Sequence, residues 1–387
     1  MKRFLILILA LSLMLTMLGC SKDQGEEVSA TNERADTASL NEENTSGNND
    51  YVTVTDMLGR QVKIKKPIER IIVNHWDLGE VVSMVVGPEY ENILVGVGGS
   101  GSAAEFQKVY GKALPGLQDM AVISASGNSS YDLEMIIKLQ PDVFFINSSG
   151  SYLENAKKQV EDLEKAGIPV FFFTFGQDVI NSPQEGIRLL GQVFEKEARA
   201  KEITDFIDRQ FDLVDSRLEG LEDEDRPRVY YEHSRGADIN SYGSTNIKGG
   251  WATIIEKAKG KNIGKDSLME NNQIDPEYLL KVDPDFIFFS TGLGYKDAST
   301  DKTPELINKL VQRLGWEDLK AVKNKEVHAM FHDHSRSAFA FYPTLYMAKN
   351  FYPDLMEDLD SDQILKEFYD KFLLVDYEDG LWSYKLD

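Results

Sequence analysis

The chain has 387 residues, 42% of them hydrophobic, with 64 acidic against 42 basic side chains and a formal net charge of -22. That length allows about two to three domains with sizeable cores, and so acidic a surface repels phosphate backbones, which argues against nucleic acid as a partner. The single cysteine, Cys20, rules out an intrachain disulfide and a cysteine-based metal site.

Lys2 and Arg3 precede an apolar run from Phe4 to Leu18, and "MLGC" follows with small Gly19 before Cys20. The run falls short of the ~20 residues of a membrane span and reads as a secretory signal over residues 1–20. The stretch resembles a bacterial lipoprotein signal, which implies lipid on Cys20 after cleavage and an extracytoplasmic, membrane-anchored protein. An ordinary signal peptide with an incidental cysteine is the alternative. Residues 21–50 hold hardly any large apolar side chain, so they are expected to form a disordered tether.

From Tyr51 to Lys63 apolar and polar residues alternate around "DMLG", which predicts a β-hairpin. Strand patterns ("RIIV", "ILVG", "VFFI", "VFFF") then alternate with helix patterns ("HWDLGEVVSMVV", "YDLEMIIKLQ", "LENAKKQVEDLEKAG"). A long helical stretch from Ser182 to about Leu221 ends at "EDEDRPR". A second alternating series follows: "RVYYEH", "GGWATIIEKAKG", "DPEYLLKV", "DFIFFS", "TPELINKLVQRL", "VHAMF", and a helical region from about Pro343. The expected fold is α/β, with two lobes at 51–181 and 223–387. Each holds a mainly parallel sheet flanked by helices, and one long rigid helix over 182–222 joins them.

The two lobes repeat a phrase. "YDLEMIIKLQPDVFF" from Tyr131 and "IDPEYLLKVDPDFIFF" from Ile274 align at a constant offset of 143, matching Asp132 to Asp275, Glu134 to Glu277, Lys138 to Lys281, Pro141 to Pro284 and Asp142 to Asp285. A duplicated helix–strand unit accounts for Pro and Asp. For the glutamates, an acid favoured by the helix dipole is one explanation.

Ligands of such sheets sit beyond the carboxyl ends of the strands, so the loops there carry the candidate site. They hold Asn74, His75 and Trp76, then His233, Ser234, Arg235 and Tyr242, and finally His332, Asp333, His334 and Arg336. Imidazole binds metals and donates to oxyanions, guanidinium grips carboxylates and catecholates, and Trp76, Tyr242 or Trp251 can stack on a planar ligand. The bland alternative makes "HDHSR" a polar loop and His75 a helix cap. A bare metal site has weaker support, because no H-E-x-x-H or similar pair is present. "GVGGSG" at 96–101 formally fits a dinucleotide loop but follows a complete βα unit, so a flexible loop beside the cleft is expected instead.

"DMLGRQVKIKKPIERIIV", the repeated "E…L.PD" units, "GGWATIIEKAKGKNI" and "FYPTLYMAKNFYPDLMEDLD" resemble the substrate-binding lipoproteins of ABC importers for ferric siderophores, haem and cobalamin, over about 51–373. The resemblance implies two lobes bridged by a rigid helix, a ligand between them and no catalysis. It also implies one glutamate per lobe, here Glu134 and Glu277, docking onto arginines of the membrane subunits.

The expected ligand is an iron chelate, foremost a ferric siderophore, held by His75, Trp76, His233, Arg235, Tyr242, His332, His334 and Arg336. His75, His233 or His332 would complete iron coordination. Haem, a corrinoid or another metal chelate is the alternative, because the cleft loops offer more histidines than arginines. The partners expected are this chelate, an ABC permease dimer with its ATPase, and the membrane through the anchor, with the protein itself a monomer. No cofactor is expected. An exported metal-dependent hydrolase using Asp333 as base, and a surface adhesion protein, are the competing classes.

Overall fold

A computed structural model describes residues 50–125, 130–235, 237–266, 272–296 and 302–387, and residues 49–387 form one compact unit. The expected signal peptide, Cys20 and the tether lie outside the described residues, apart from Asp50. β1 (Tyr51–Thr55) and β2 (Gln61–Lys65) pair antiparallel around the "DMLG" turn, where Asp56 Oδ1 accepts from the backbone N–H groups of Leu58 and Arg60 at 3.0 Å each.

The N-terminal lobe then supplies β3 (Ile71–Val73), β4 (Leu94–Val97), β5 (Ala121–Val122), β6 (Val143–Asn147) and β7 (Val170–Phe173), a parallel sheet in the order β5-β4-β3-β6-β7. The C-terminal lobe supplies β8 (Arg228–His233), β9 (Lys261–Asn262), β10 (Phe286–Thr291), β11 (Gly294–Tyr295), β12 (Val327–Phe331), β13 (Gly380–Leu381) and β14 (Ser383–Lys385). Its sheet runs β14-β12-β10-β8-β9, with β14 antiparallel to β12, while β11 and β13 form a small separate pair. β3 lies between β4 and β6, and β8 between β9 and β10, so β3 and β8 mark the points where strand order reverses and a crevice opens.

The apolar strands are buried on both faces, and their two-residue period divides the cores. Ile71, Val73, Phe145, Phe171 and Phe173 face one cluster, whereas Ile72, Phe144, Ile146 and Phe172 face another. In the C-terminal lobe Tyr231, Phe288 and Met330 belong to the first of these clusters, and Tyr230, Ile287 and Phe289 to a third. One core is therefore shared by both lobes, which makes a wide hinge opening costly.

The helical stretch over 182–222 is corrected in extent. Ser182–Phe194 and Glu197–Arg217 are separate helices, broken where Glu195 takes φ +55°. They fold back on each other: Gln184 Nε2 donates to Asp208 at 3.2 Å, Arg188 pairs with the same carboxylate at 2.9 Å, and Gly191 lies so close to Ala200 that a Cβ would come within 2.6 Å. Small residues at that crossing let Ile187, Leu190 and Val193 enter the core that also holds Ile203 and Ile207, and this burial outweighs helix continuity. The second helix alone, about 31 Å long at 1.5 Å per residue, spans the lobes. Arg199 near its start donates to the Met84 carbonyl, and Arg217 at its end pairs with Asp358 at 2.5 Å.

Two further differences concern missed elements. Ser100–Tyr110 is a helix that starts inside "GVGGSG", so the expected flexible loop is a tight turn; a Cβ on Gly98 would lie 2.1 Å from the Asn74 carbonyl. The region after Pro343 is helical over Phe341–Phe351 and Ser361–Phe372 but ends in β13 and β14.

The repeated phrase has a structural cause. Asp132 caps the helix Leu133–Leu139 by accepting from Met135 N at 2.9 Å, and Asp275 caps Pro276–Val282 through Tyr278 N at 2.9 Å. Both helices end in a left-handed residue, Gln140 and Asp283. Asp142 then accepts from Arg70 N at 2.9 Å and Asp285 from Arg228 N at 2.8 Å, tying each unit to the strand that opens its lobe.

Candidate ligand cleft

At the carboxyl ends of β3 and β6 the Asn74 and Asn147 side chains splice the two strands: Asn74 Nδ2 donates to Asn147 O at 3.0 Å, and Asn147 N donates to Asn74 Oδ1 at 2.8 Å. This fixes the start of the helix Trp76–Val86. Trp76, 6% exposed, packs edge-on to Tyr295 and tilted against Phe331, with ring centroids 6.2 and 6.4 Å away. Together they line a cavity of about 200 Å³ between the lobes, with Phe106 and Val109 on one side and Thr291 to Tyr295, Phe331, His332 and Asp333 on the other. Its walls are mostly apolar and aromatic.

Beside it lies a polar compartment lined by His75, Asp77, Asn147, Ser148, Ser149, Tyr152 and Gly176 from the N-terminal lobe and Arg336 from the C-terminal lobe. His75 Nδ1 lies 2.9 Å from Asp77 Oδ1, with the Asp77 N–H a weaker contact at 3.4 Å. Burial works to lower the imidazole's pKa, but the Asp77 carboxylate overrides it and raises it, with Asp333 adding to the effect. The same pairing holds Asp77 low despite its burial. His75 therefore pairs with Asp77 at the start of the helix and faces the cleft.

Across the cleft, His233 and His332 stack with centroids 4.2 Å apart. Burial lowers both pKa values, that of His332 furthest, and the charges of Arg336 and Arg235 lower them again. Two neutral imidazoles thus lie among two guanidinium groups. Arg336 reaches His332 Nε2 at 3.0 Å and Asp333 at 3.4 Å, and Arg235 is exposed. Asp333 itself is raised by burial, an effect that Arg336 and His75 partly offset.

His75, Trp76, His332 and Arg336 therefore line the two compartments, while His233 and Arg235 stand beside them. Three expectations are corrected. His334 is 1% exposed, surrounded by Phe331, Phe339, Tyr342 and Trp382, and neither ring nitrogen has a hydrogen-bond partner among the described residues; burial drives its pKa to about 3. Tyr242 turns its ring onto the Arg313 guanidinium at 4.1 Å and accepts from Trp316 Nε1, so it belongs to the packing of its lobe. Trp251 stacks on Tyr231 in the core. Among the described residues, no group of three or more His, Cys, Asp or Glu side chains is placed to hold a metal ion, so His75, His233 and His332 do not form a cage.

The sequence reading missed Phe106, Leu293, Tyr295 and Phe331, because an apolar residue that lines a cleft has the same pattern as one that fills a core. It also missed Glu80, 3% exposed beneath Trp76. Its Oε1 accepts from Tyr110 OH at 2.7 Å and from Tyr295 OH, and burial raises its pKa to about 7 against the pull of those two bonds.

Residues 84–332 match the family described as periplasmic binding protein. The chain belongs to that family. It is the substrate-binding component of an ABC transporter, which places it outside the cytoplasm. The chain is 22% identical over 349 residues to the molybdate-binding protein MolA of Haemophilus influenzae, covering 84% of this chain and 92% of that one. Among solved structures it resembles the TroA-like periplasmic binding protein FepB from Veillonella parvula, with a TM-score of 0.75 and 29% identity over 87% of this chain and all of the other (100%). It also resembles Helicobacter pylori CeuE in a Ni–His complex, with a TM-score of 0.61 and 20% identity over 85% and 97% of the two chains. These relatives are two-lobed binding proteins, in agreement with the fold described. No helix among the described residues is long and apolar enough to cross a membrane.

Proposed function

We propose that this periplasmic binding protein captures an iron chelate, foremost a ferric siderophore, between its lobes and presents it to an ABC permease. The observation that carries the reading is the aromatic cavity of about 200 Å³ lying against a cluster of imidazole and guanidinium groups. A chelate offers an organic shell for Trp76, Phe106 and Phe331 and anionic oxygens for Arg336, Arg235 and His75. A bare tetrahedral oxyanion such as molybdate would leave the aromatic compartment unfilled. No role is assigned to His334, Tyr242 or Trp251.

Glu134 and Glu277 are the proposed docking acids. Both are exposed, and the burial order from each is the same over six positions, with exposed Ile137 matching exposed Leu280. Two equal epitopes, one per lobe, suit a two-fold membrane partner. Cys20 is the proposed lipid anchor, and the protein is proposed to act as a monomer without catalysis.

The test is tryptophan fluorescence of protein starting after Cys20, titrated with ferric catecholates, ferric hydroxamates, haem, a corrinoid and molybdate. Saturable quenching by an iron chelate is expected. A response to molybdate alone would overturn the ligand class. For docking, cells carrying Glu134→Ala and Glu277→Ala should lose uptake of labelled chelate while affinity in vitro stays unchanged.

A further inference from the structure

Ser290, 0% exposed near the end of β10, meets three groups at once. Its Oγ lies 2.9 Å from His332 Nδ1, 2.9 Å from His233 Nδ1 and 2.7 Å from Tyr231 OH. The proton positions in part of this cluster follow from donor chemistry. A guanidinium has N–H donors and no acceptor, so the 3.0 Å contact from Arg336 to His332 Nε2 places a lone pair on that nitrogen. With Nε2 unprotonated, the ring proton of His332 resides on Nδ1 and is donated to Ser290 Oγ. The serine hydroxyl has accepted one bond, so it donates its own proton to either His233 or Tyr231 and accepts from the other.

We propose that Ser290 is a positioning residue for Arg336: it fixes His332 as the Nδ1–H tautomer, whose Nε2 lone pair anchors the guanidinium over the polar compartment of the cleft. Which imidazole nitrogen carries the proton is set by the bond its partner nitrogen makes. In the other tautomer, Nε2–H would face Arg336 N–H, donor against donor, and the guanidinium would keep only Asp333 at 3.4 Å as its side-chain partner among the described residues. A neutral anchor also leaves the arginine's charge uncancelled for an anionic ligand. The burial of His332 and the nearby arginines oppose its protonation, in line with a neutral ring.

The role assigned to Arg336 rests on the binding reading above, whereas the tautomer does not. Long-range ¹⁵N–¹H spectra of ¹⁵N-histidine-labelled protein, ligand-free at pH 7.5, report the tautomer directly, with the His332 signal assigned by its loss in His332→Gln. The wild type should show Nδ1–H at His332, Ser290→Ala should lose that signature, and Ser290→Thr, which keeps the hydroxyl, should restore it. Affinity for a ferric tris-catecholate should fall about tenfold in Ser290→Ala, with little further loss when Arg336→Ala is added. A wild-type His332 that is Nε2–H or cationic overturns the proposal even if Ser290→Ala fails to fold. So does an unchanged tautomer in a folded Ser290→Ala. If no chelate binds the wild type while the Nδ1–H signature is present and depends on Ser290, the function reading fails and the tautomer assignment stands.

Discussion

Glu80, on the first helix of the N-terminal lobe, accepts a hydrogen bond from Tyr295 of the C-terminal lobe, so a buried carboxyl joins the two lobes beneath the cleft floor. Tyr369 donates to Tyr295 OH at 3.1 Å and extends the network into the helix Ser361–Phe372. Asp77 and Asp333 are the charged groups facing it, and both disfavour a second negative charge there.

Glu80 should make the protein less stable as pH rises. Its folded pKa of about 7 lies above the ordinary 4.5, so between those values the folded state binds more protons than the unfolded one. The stabilisation is complete below pH 4.5 and lost by about pH 7. It amounts to roughly 3 kcal/mol at 1.36 kcal/mol per unit, as an upper figure. Urea unfolding at intervals across that range should show the decline in the wild type and a flatter profile in Glu80→Gln. Parallel profiles would contradict the assignment.

His334 should act in the opposite direction. Its folded pKa of about 3 lies below 6.5, so stability falls as pH drops through that window, where the unfolded chain takes up the proton. Its unpartnered nitrogens sit among aromatic rings, and replacing such a group by an apolar one of similar shape is neutral or stabilising. His334→Phe is expected to match or exceed the wild type by about 1 kcal/mol at pH 7, and by more at pH 5. Ligand affinity should not change, and a loss of affinity would return His334 to the cleft.

Arg313 and Glu232 form a bidentate pair at 2.7 and 2.8 Å, 1% and 0% exposed in their side chains. Arg313 also donates to the carbonyls of Asp238 and Ser241, and so holds the loop that leaves β8. Arg313→Met leaves a buried carboxylate uncompensated and should cost about 3–5 kcal/mol. The double change with Glu232→Leu should recover a large part of that. Thermal unfolding of the single and double variants checks both statements.

The repeated Asp and the repeated Glu should separate by measurement. Asp142→Ala removes the acceptor for two backbone N–H groups, those of Glu69 and Arg70, and should destabilise by about 1–2 kcal/mol. Glu134→Ala, exposed and without an ion pair among the described residues, should stay within about 0.5 kcal/mol. Equal losses would mean that both positions serve the fold.

Much of the architecture was legible because it rests on local rules. Apolar runs with period 2 and period 3.6, prolines after helices and capping aspartates gave the two α/β lobes, the hairpin and the duplicated unit. The strand-end placement of His75, His332 and Arg336 followed from the same alternation. What depends on contacts distant in sequence was not legible. The break at Glu195 has no glycine or proline to announce it and exists because two helix faces bury more by folding back. His334 sits two residues from His332 in an identical polar context, yet one lines the cleft and the other is sealed among rings. Ser290, Glu80 and Tyr295 carry no signal in the chain, because their roles arise only where strands and lobes meet. Periodicity reports which face of an element is buried, whereas the identity of what lies against that face is decided by tertiary packing.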